Sequence, residues 1–153
     1  MNSQEPASAR SLRSRAIAAL SRRDHSRQEL FRKLSALAES AEQLNAVLDT
    51  LEQEGLLSDQ RYAESVARVR GARFGSARVR QELEQKGVAA HLIQATTDEL
   101  RDSEADRLRE VWSKKFGVPP ADFTEAARQS RFLLQRGFSI ELIRRLMRDL
   151  RNG

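Results

Sequence analysis

Two stretches of this chain superimpose at a constant offset of fifty residues. Leu83-x-x-Lys86-Gly87-Val88-x-x-x-Leu92-Ile93 returns as Leu133-x-x-Arg136-Gly137-Phe138-x-x-x-Leu142-Ile143, and Leu100 returns as Leu150 in the same register. A repeated unit of that size buries its apolar face poorly by itself and depends on its neighbours, so the repeat predicts a tandem array instead of one deep core. A fainter copy lies upstream: Leu30 and Leu34 correspond to Val79 and Leu83, but the basic-Gly-apolar turn is replaced by Ala38-Glu39-Ser40. Six Phe, one Trp and one Tyr in 153 residues are too few large apolar groups for a deep core, which favours several shallow ones. Only three prolines and seven glycines interrupt a chain rich in Ala, Leu, Arg, Glu and Gln, all good helix formers. The fold class expected is all-α, with three tandem three-helix units in an elongated, curved array.

The helix signals divide the chain accordingly. Residues 1–9 are small and polar without an apolar period, which predicts a disordered tail. The first unit spans 10–58. Leu12, Ala16, Ala19 and Leu20 mark helix one. Ser26 with Glu29 and Ser40 with Gln43 then form capping pairs that open helices two and three, and Gly55 closes the unit. The second unit spans 59–102. Ser58 or Asp59 caps helix four, with Tyr62, Val66 and Val69 inward, and this helix ends near Phe74–Gly75. Ser76 caps helix five, which carries Val79 and Leu83 and ends at Gly87, and Leu92, Ile93, Thr96 and Leu100 define helix six. The third unit spans 103–153. Ser103 with Asp106 starts helix seven, with Leu108, Val111, Trp112 and Phe116 buried, until Gly117 and Pro119–Pro120 stop it. Asp122 or Thr124 opens helix eight with Leu133 and Leu134, and Ser139 caps helix nine with Ile140, Ile143, Leu146, Met147 and Leu150.

Several chemistries find no footing. There is no cysteine, hence no disulfide framework and no thiolate metal site. His25 and His91 each stand alone, without the converging partners that a metal or an acid–base pair needs, so no catalytic role, metal or cofactor is expected. Gly71-Ala-Arg-Phe-Gly75 lacks the Gly-Lys-Ser/Thr ending of a phosphate loop and reads as a helix junction. Glu82, Glu84, Asp98, Glu99 and Asp102 are spread along helices without an orienting histidine and read as solvated faces. No stretch approaches the roughly 18 apolar residues that span a bilayer, so a soluble cytoplasmic protein, monomeric and without a membrane partner, is expected.

Charge points to anionic partners. The net charge is +5, yet it comes in blocks: residues 39–60 hold six acids and no base, whereas 61–80 hold six arginines and the single acid Glu64. Arg68, Arg70, Arg73, Arg78 and Arg80 from that block, with Lys86 at the end of helix five, form the first candidate binding set. Arg144, Arg145 and Arg148 form the second. With Arg151 they recur at i, i+1, i+4 and i+7 along helix nine, beside Ile143, Leu146 and Met147. Helices five and six with the Gly87 turn also trace a helix-turn-helix outline, a weak signal in any three-helix unit.

The run Phe74-Gly75-Ser76-x-Arg78-Val79-Arg80-Gln81-Glu82-Leu83-x-Gln85-Lys86-Gly87-Val88, preceded by Gly55-Leu56-Leu57-Ser58-Asp59-Gln60-Arg61-Tyr62-Ala63, resembles the RecX family of bacterial recombination regulators. The resemblance covers nearly the whole chain after the tail. It implies a cytoplasmic protein of repeated three-helix units that binds the RecA recombinase filament on single-stranded DNA. Lodged in the filament groove, such a protein suppresses ATP hydrolysis, strand exchange and coprotease activity, and several family members bind DNA directly. Ala38-Glu39-Ser40 departs from the turn of the later units. The alternative reading is a sequence-independent helical DNA-binding protein competing for the same strand. A purely structural scaffold would leave the arginine cluster without a purpose.

Overall fold

The computed structural model describes residues 6–153, and all regular structure among them is helical. The elements are α1 (Ala7–Arg22), α2 (Arg27–Leu34), a 3-10 turn (Ser35–Leu37), α3 (Ala41–Gln53), α4 (Asp59–Arg70), α5 (Ser76–Gln85), α6 (Ala90–Lys115), α7 (Phe123–Gln135) and α8 (Ile140–Asn152). Short polar side chains open most of them by accepting a backbone N–H that the helix itself leaves unpaired. Ser26 caps Glu29 at 3.0 Å, Ser40 caps Gln43 at 3.1 Å, Ser58 caps Arg61 at 3.1 Å and Asp122 caps Glu125 at 2.8 Å.

Four expectations need correction. Residues 7–9 of the expected tail belong to α1, with Ala9 buried against α3; residues 1–5 lie outside the described residues. Helix four closes at Arg70, before Phe74–Gly75. Gly75, not Ser76, is the cap of α5, because the Ser76 N–H and hydroxyl both turn to the Glu104 carboxylate, at 2.9 and 3.2 Å. Expected helices six and seven are one helix, the 26-residue α6. The Ser103-x-x-Asp106 pattern looks like a cap in sequence, but no glycine or proline lies between Val88 and Gly117 to end the preceding helix. Ser103 instead donates back to the Leu100 carbonyl at 3.3 Å, as a serine inside a helix does. Val69, expected to face inward, is also exposed, at 64%.

Three separate cores result. The first joins Leu12, Leu30, Leu44, Leu48 and Leu51; the second Tyr62, Val79, Leu83, Ile93 and Leu100; the third Leu108, Trp112, Leu133, Phe138 and Ile143. The helices around them are called units one, two and three below, and α6 serves two of them, Ile93 and Leu100 facing the second core and Leu108 and Trp112 the third. The accessible surface, 9801 Å², exceeds the roughly 7,900 Å² of a compact monomer of this mass, as an elongated row of small cores should.

The repeat is also the device that joins the units. The start of α2 in unit one is clasped twice by unit two: the Ser26 hydroxyl donates to the Lys86 carbonyl at 2.7 Å, and the Arg27 N–H donates to Asp59 at 2.7 Å. Forty-nine positions on, the start of α5 is clasped in the same two ways. The Gly75 N–H donates to the Arg136 carbonyl at 2.8 Å and the Ser76 N–H donates to Glu104. The basic-Gly turn is therefore a docking element that each later unit lays on the one before it. Gly87 and Gly137 hold the turn open at φ +74 and +88, and a Cβ on Gly137 would meet the Arg78 Cβ at 2.6 Å.

Candidate partner and nucleic-acid interface

The turn between α4 and α5 presents Phe74 as the hub of a cationic cluster. The guanidinium carbons of Arg78 and Arg136 each lie 5.0 Å from its ring centre and that of Arg70 lies at 5.8 Å. Arg136 also sits 4.9 Å from the ring centre of Phe132, and Lys115 lies 5.1 Å from the same ring. Each such contact is worth about 0.5–1 kcal/mol at an exposed site and lets like charges gather where bare repulsion would spread them.

Arg107 pins this turn through its backbone carbonyls. Its guanidinium donates to the carbonyls of Gly71 at 2.5 Å, Phe74 at 2.9 Å and Leu100 at 2.8 Å. Burial lowers the pKa of this arginine, and the nearby Glu104 carboxylate opposes that shift. Arg78 adds a bond to the Gln135 carbonyl at 3.0 Å, so the cluster spans the joint between units two and three.

The sequence-predicted residues fall into three groups. Arg70 and Arg78 come together over the Phe74 ring; Arg73, the residue before it, and Arg68 are exposed, and neither side chain has a hydrogen-bond or ion-pair partner among the described residues. Arg70 is held in part by Glu82 at 3.3 Å. Arg80 and Lys86 are directed elsewhere: Arg80 lies half-buried against Gln94 and Thr97, and Lys86 pairs with Glu29 of unit one at 3.6 Å. Arg144, Arg145 and Arg148 form an exposed stripe on α8, unpaired among the described residues and apart from the Phe74 cluster.

Phe74, Arg136, Arg107 and Glu104 escaped the sequence reading. Arg136 was visible there as the counterpart of Lys86, but its stacking on Phe74 depends on the joint. Glu104 and Arg107 sat where a helix start was expected, which hid their inward turn. Trp112 and Tyr62 are core residues, as their apolar faces suggested; burial pushes the Tyr62 hydroxyl up to about 12. Among the described residues no group of three or more His, Asp or Glu could hold a metal ion, and no helix is long and apolar enough to cross a membrane.

Residues 58–96 match the family profile described as the second three-helix domain of RecX, and residues 102–147 match that of its third. A regulatory protein RecX from Leptothrix cholodnii is 49% identical over 138 residues, covering 90% of this chain and 88% of the relative. The chain belongs to the RecX family. A second RecX relative, from Chromobacterium violaceum, is 45% identical over 141 residues, covering 92% of this chain and 91% of its own. The crystal structure of RecX from Lactobacillus salivarius shares the fold with a TM-score of 0.76 at 20% identity, over 95% of this chain and 98% of that one. A second crystal structure of a regulatory protein RecX gives 0.68 at 20% identity, over 93% of this chain and 72% of that one. The Phe74 cluster thus spans the joint between the second and third RecX domains, and the α8 stripe belongs to the third.

Proposed function

We propose that this chain is a cytoplasmic, monomeric regulator of DNA recombination and repair that binds the RecA recombinase filament on single-stranded DNA and restrains its ATPase, strand-exchange and coprotease activities. The observation that carries the reading is the Phe74 cluster: Arg70, Arg78 and Arg136 gathered over one ring across a joint, with the exposed Arg68 and Arg73 on the same stretch of chain. Cations already desolvated on one side by a ring meet carboxylates or phosphates with less loss than freely hydrated ones. The second stripe, Arg144, Arg145 and Arg148, lets one molecule contact two neighbouring protomers of a polymer at once, which raises effective concentration without any new contact type. The relatives are named regulatory proteins, and this supports a non-enzymatic role.

Co-sedimentation tests the reading against direct competition for the strand. At equal salt the chain should pellet with preformed recombinase–DNA filament at concentrations where naked single-stranded DNA retains little of it. Equal retention by naked DNA would favour the sequence-independent DNA-binding alternative.

A further inference from the structure

Unit three differs from the other two in what lies between its second and third helices. In unit one, Arg27 of α2 crosses to α3, where it bonds Glu52 at 2.6 Å, Asp49 at 2.7 Å and the Asn45 carbonyl at 3.2 Å. In unit two, Arg80 of α5, one turn further along its helix than the counterpart of Arg27, crosses to α6 toward Gln94 at 3.2 Å and Thr97 at 3.0 Å. Fifty positions on, the counterpart of Arg80 is Ser130, and those of Gln94, Thr97 and Asp98 are Arg144, Met147 and Arg148. The guanidinium groups have moved to the third helix, while the second helix lines the space with Phe123, Ala126, Ala127 and Ser130. What remains is an open groove of about 1060 Å³ between α7 and α8.

Its surface is apolar on one side, with Phe123 at 90% exposure, Ile140 at 40% and Met147 beside them. Arg144, Arg145, Arg148 and Arg151 edge it, exposed and without hydrogen-bond or ion-pair partners among the described residues. Only two acids border it: Asp122, whose carboxylate already caps α7, and Glu141.

We propose that this groove receives an acidic amphipathic helix of a partner protein. Units one and two each lay an arginine of the second helix across to the third, at positions one turn apart; unit three puts its cations on the third helix and leaves the anions to be brought in. Arg144, Arg148 and Arg151 stand at i, i+4 and i+7, so acids at the same spacing on a docked helix meet them in register while its apolar residues cover Phe123 and Met147. A phosphate backbone would satisfy the arginines and leave that apolar surface bare, which decides for an acidic peptide. The inference rests on the proposed function only in placing a partner on the α8 stripe, and its test uses no recombinase.

The test measures fluorescence anisotropy of a labelled helical peptide of about fifteen residues with Glu and Leu on one face, against the full chain. A scrambled peptide of equal composition and a single-stranded oligothymidylate are the comparisons. The ordered peptide should bind at least about tenfold tighter than the scrambled one, and Phe123→Ser or Arg144→Gln with Arg148→Gln should each weaken it at least about fivefold. Ser130→Glu, which supplies the missing anion internally, should weaken it as well while leaving the melting temperature unchanged or raised. Phe123→Ser should leave oligothymidylate binding unchanged. Equal binding of both peptides, or full peptide affinity in Phe123→Ser, would overturn the proposal, and so would equal losses of peptide and oligothymidylate. Failure of the ordered peptide to bind the wild-type chain would defeat this inference while filament co-sedimentation could still succeed.

Discussion

A Cβ placed on Gly75 would stand 2.2 Å from the carbonyl oxygen of Gly137, so the start of α5 and the turn after α7 meet backbone to backbone. No side chain can retreat to relieve such a contact, and the Gly75 N–H bond to Arg136 depends on the same approach.

Gly75→Ala should therefore open the joint between units two and three, at a cost of about 2 kcal/mol or more. Gly55→Ala is the comparison: it has positive φ but no neighbour within 4 Å, so it should cost only about 1 kcal/mol of backbone strain. Urea unfolding of the two variants measures the difference. Equal losses would mean that strain, not docking, dominates at Gly75.

Arg107 satisfies three carbonyls at once, and Arg107→Met should leave them without that donor at a cost of about 2–4 kcal/mol. Hydrogen exchange should rise first at residues 71–76, ahead of the rest of the chain. Uniform acceleration would place the role of Arg107 in global stability alone.

Much of this architecture could be read in the sequence because helix periodicity and capping act locally. Ser26, Ser40, Ser58 and Asp122 cap where the spacing placed them, and the leucines of the repeat fill the three cores. What failed depended on distant partners. Ser76 gave up its capping role to Glu104, twenty-eight positions away, and Ser103 followed a helix that nothing stopped. Candidate site residues separated by the same rule: Arg70 and Arg78 gather at Phe74, whereas local charge density could not show that Arg80 turns to Thr97 or Lys86 to Glu29. Arg136, sixty-two positions beyond Phe74, joins the cluster only through the unit joint.

Stability should fall on mild acidification through His25. This side chain is 2% exposed, its Nδ1 lies 3.1 Å from the Arg23 carbonyl and its Nε2 has no hydrogen-bond partner among the described residues. Burial pulls its pKa below the ordinary 6.5; the Arg23 carbonyl and Glu29 oppose that shift, and the charges of Arg23 and Lys33 reinforce it. The unfolded chain then binds the proton more readily than the folded one, so the stabilising term is full above 6.5 and is lost as pH drops through that value. The melting temperature should decline between about pH 7.5 and 5.5, and His25→Asn should flatten the decline. Parallel slopes would assign the loss to other groups.

Direct binding to single-stranded DNA should be weak and lost with salt. Arg68→Gln with Arg73→Gln should reduce the slope of log affinity against log salt by about 1.4, which is two phosphate contacts. Preference among sequences should stay below about tenfold, since the arginines offer phosphate contacts without a base-reading helix. A larger preference would indicate base readout.

Inhibition of recombinase ATPase on single-stranded DNA tests the central claim most directly, with the wild-type chain compared to Arg68→Gln, Arg70→Gln and Arg73→Gln combined. All three residues are exposed, so thermal unfolding should shift by no more than about 2 °C. The account predicts that the triple variant needs about tenfold more protein for half-inhibition. Normal folding together with wild-type inhibition would contradict it, and the arginines around Phe74 would then be a solvated surface.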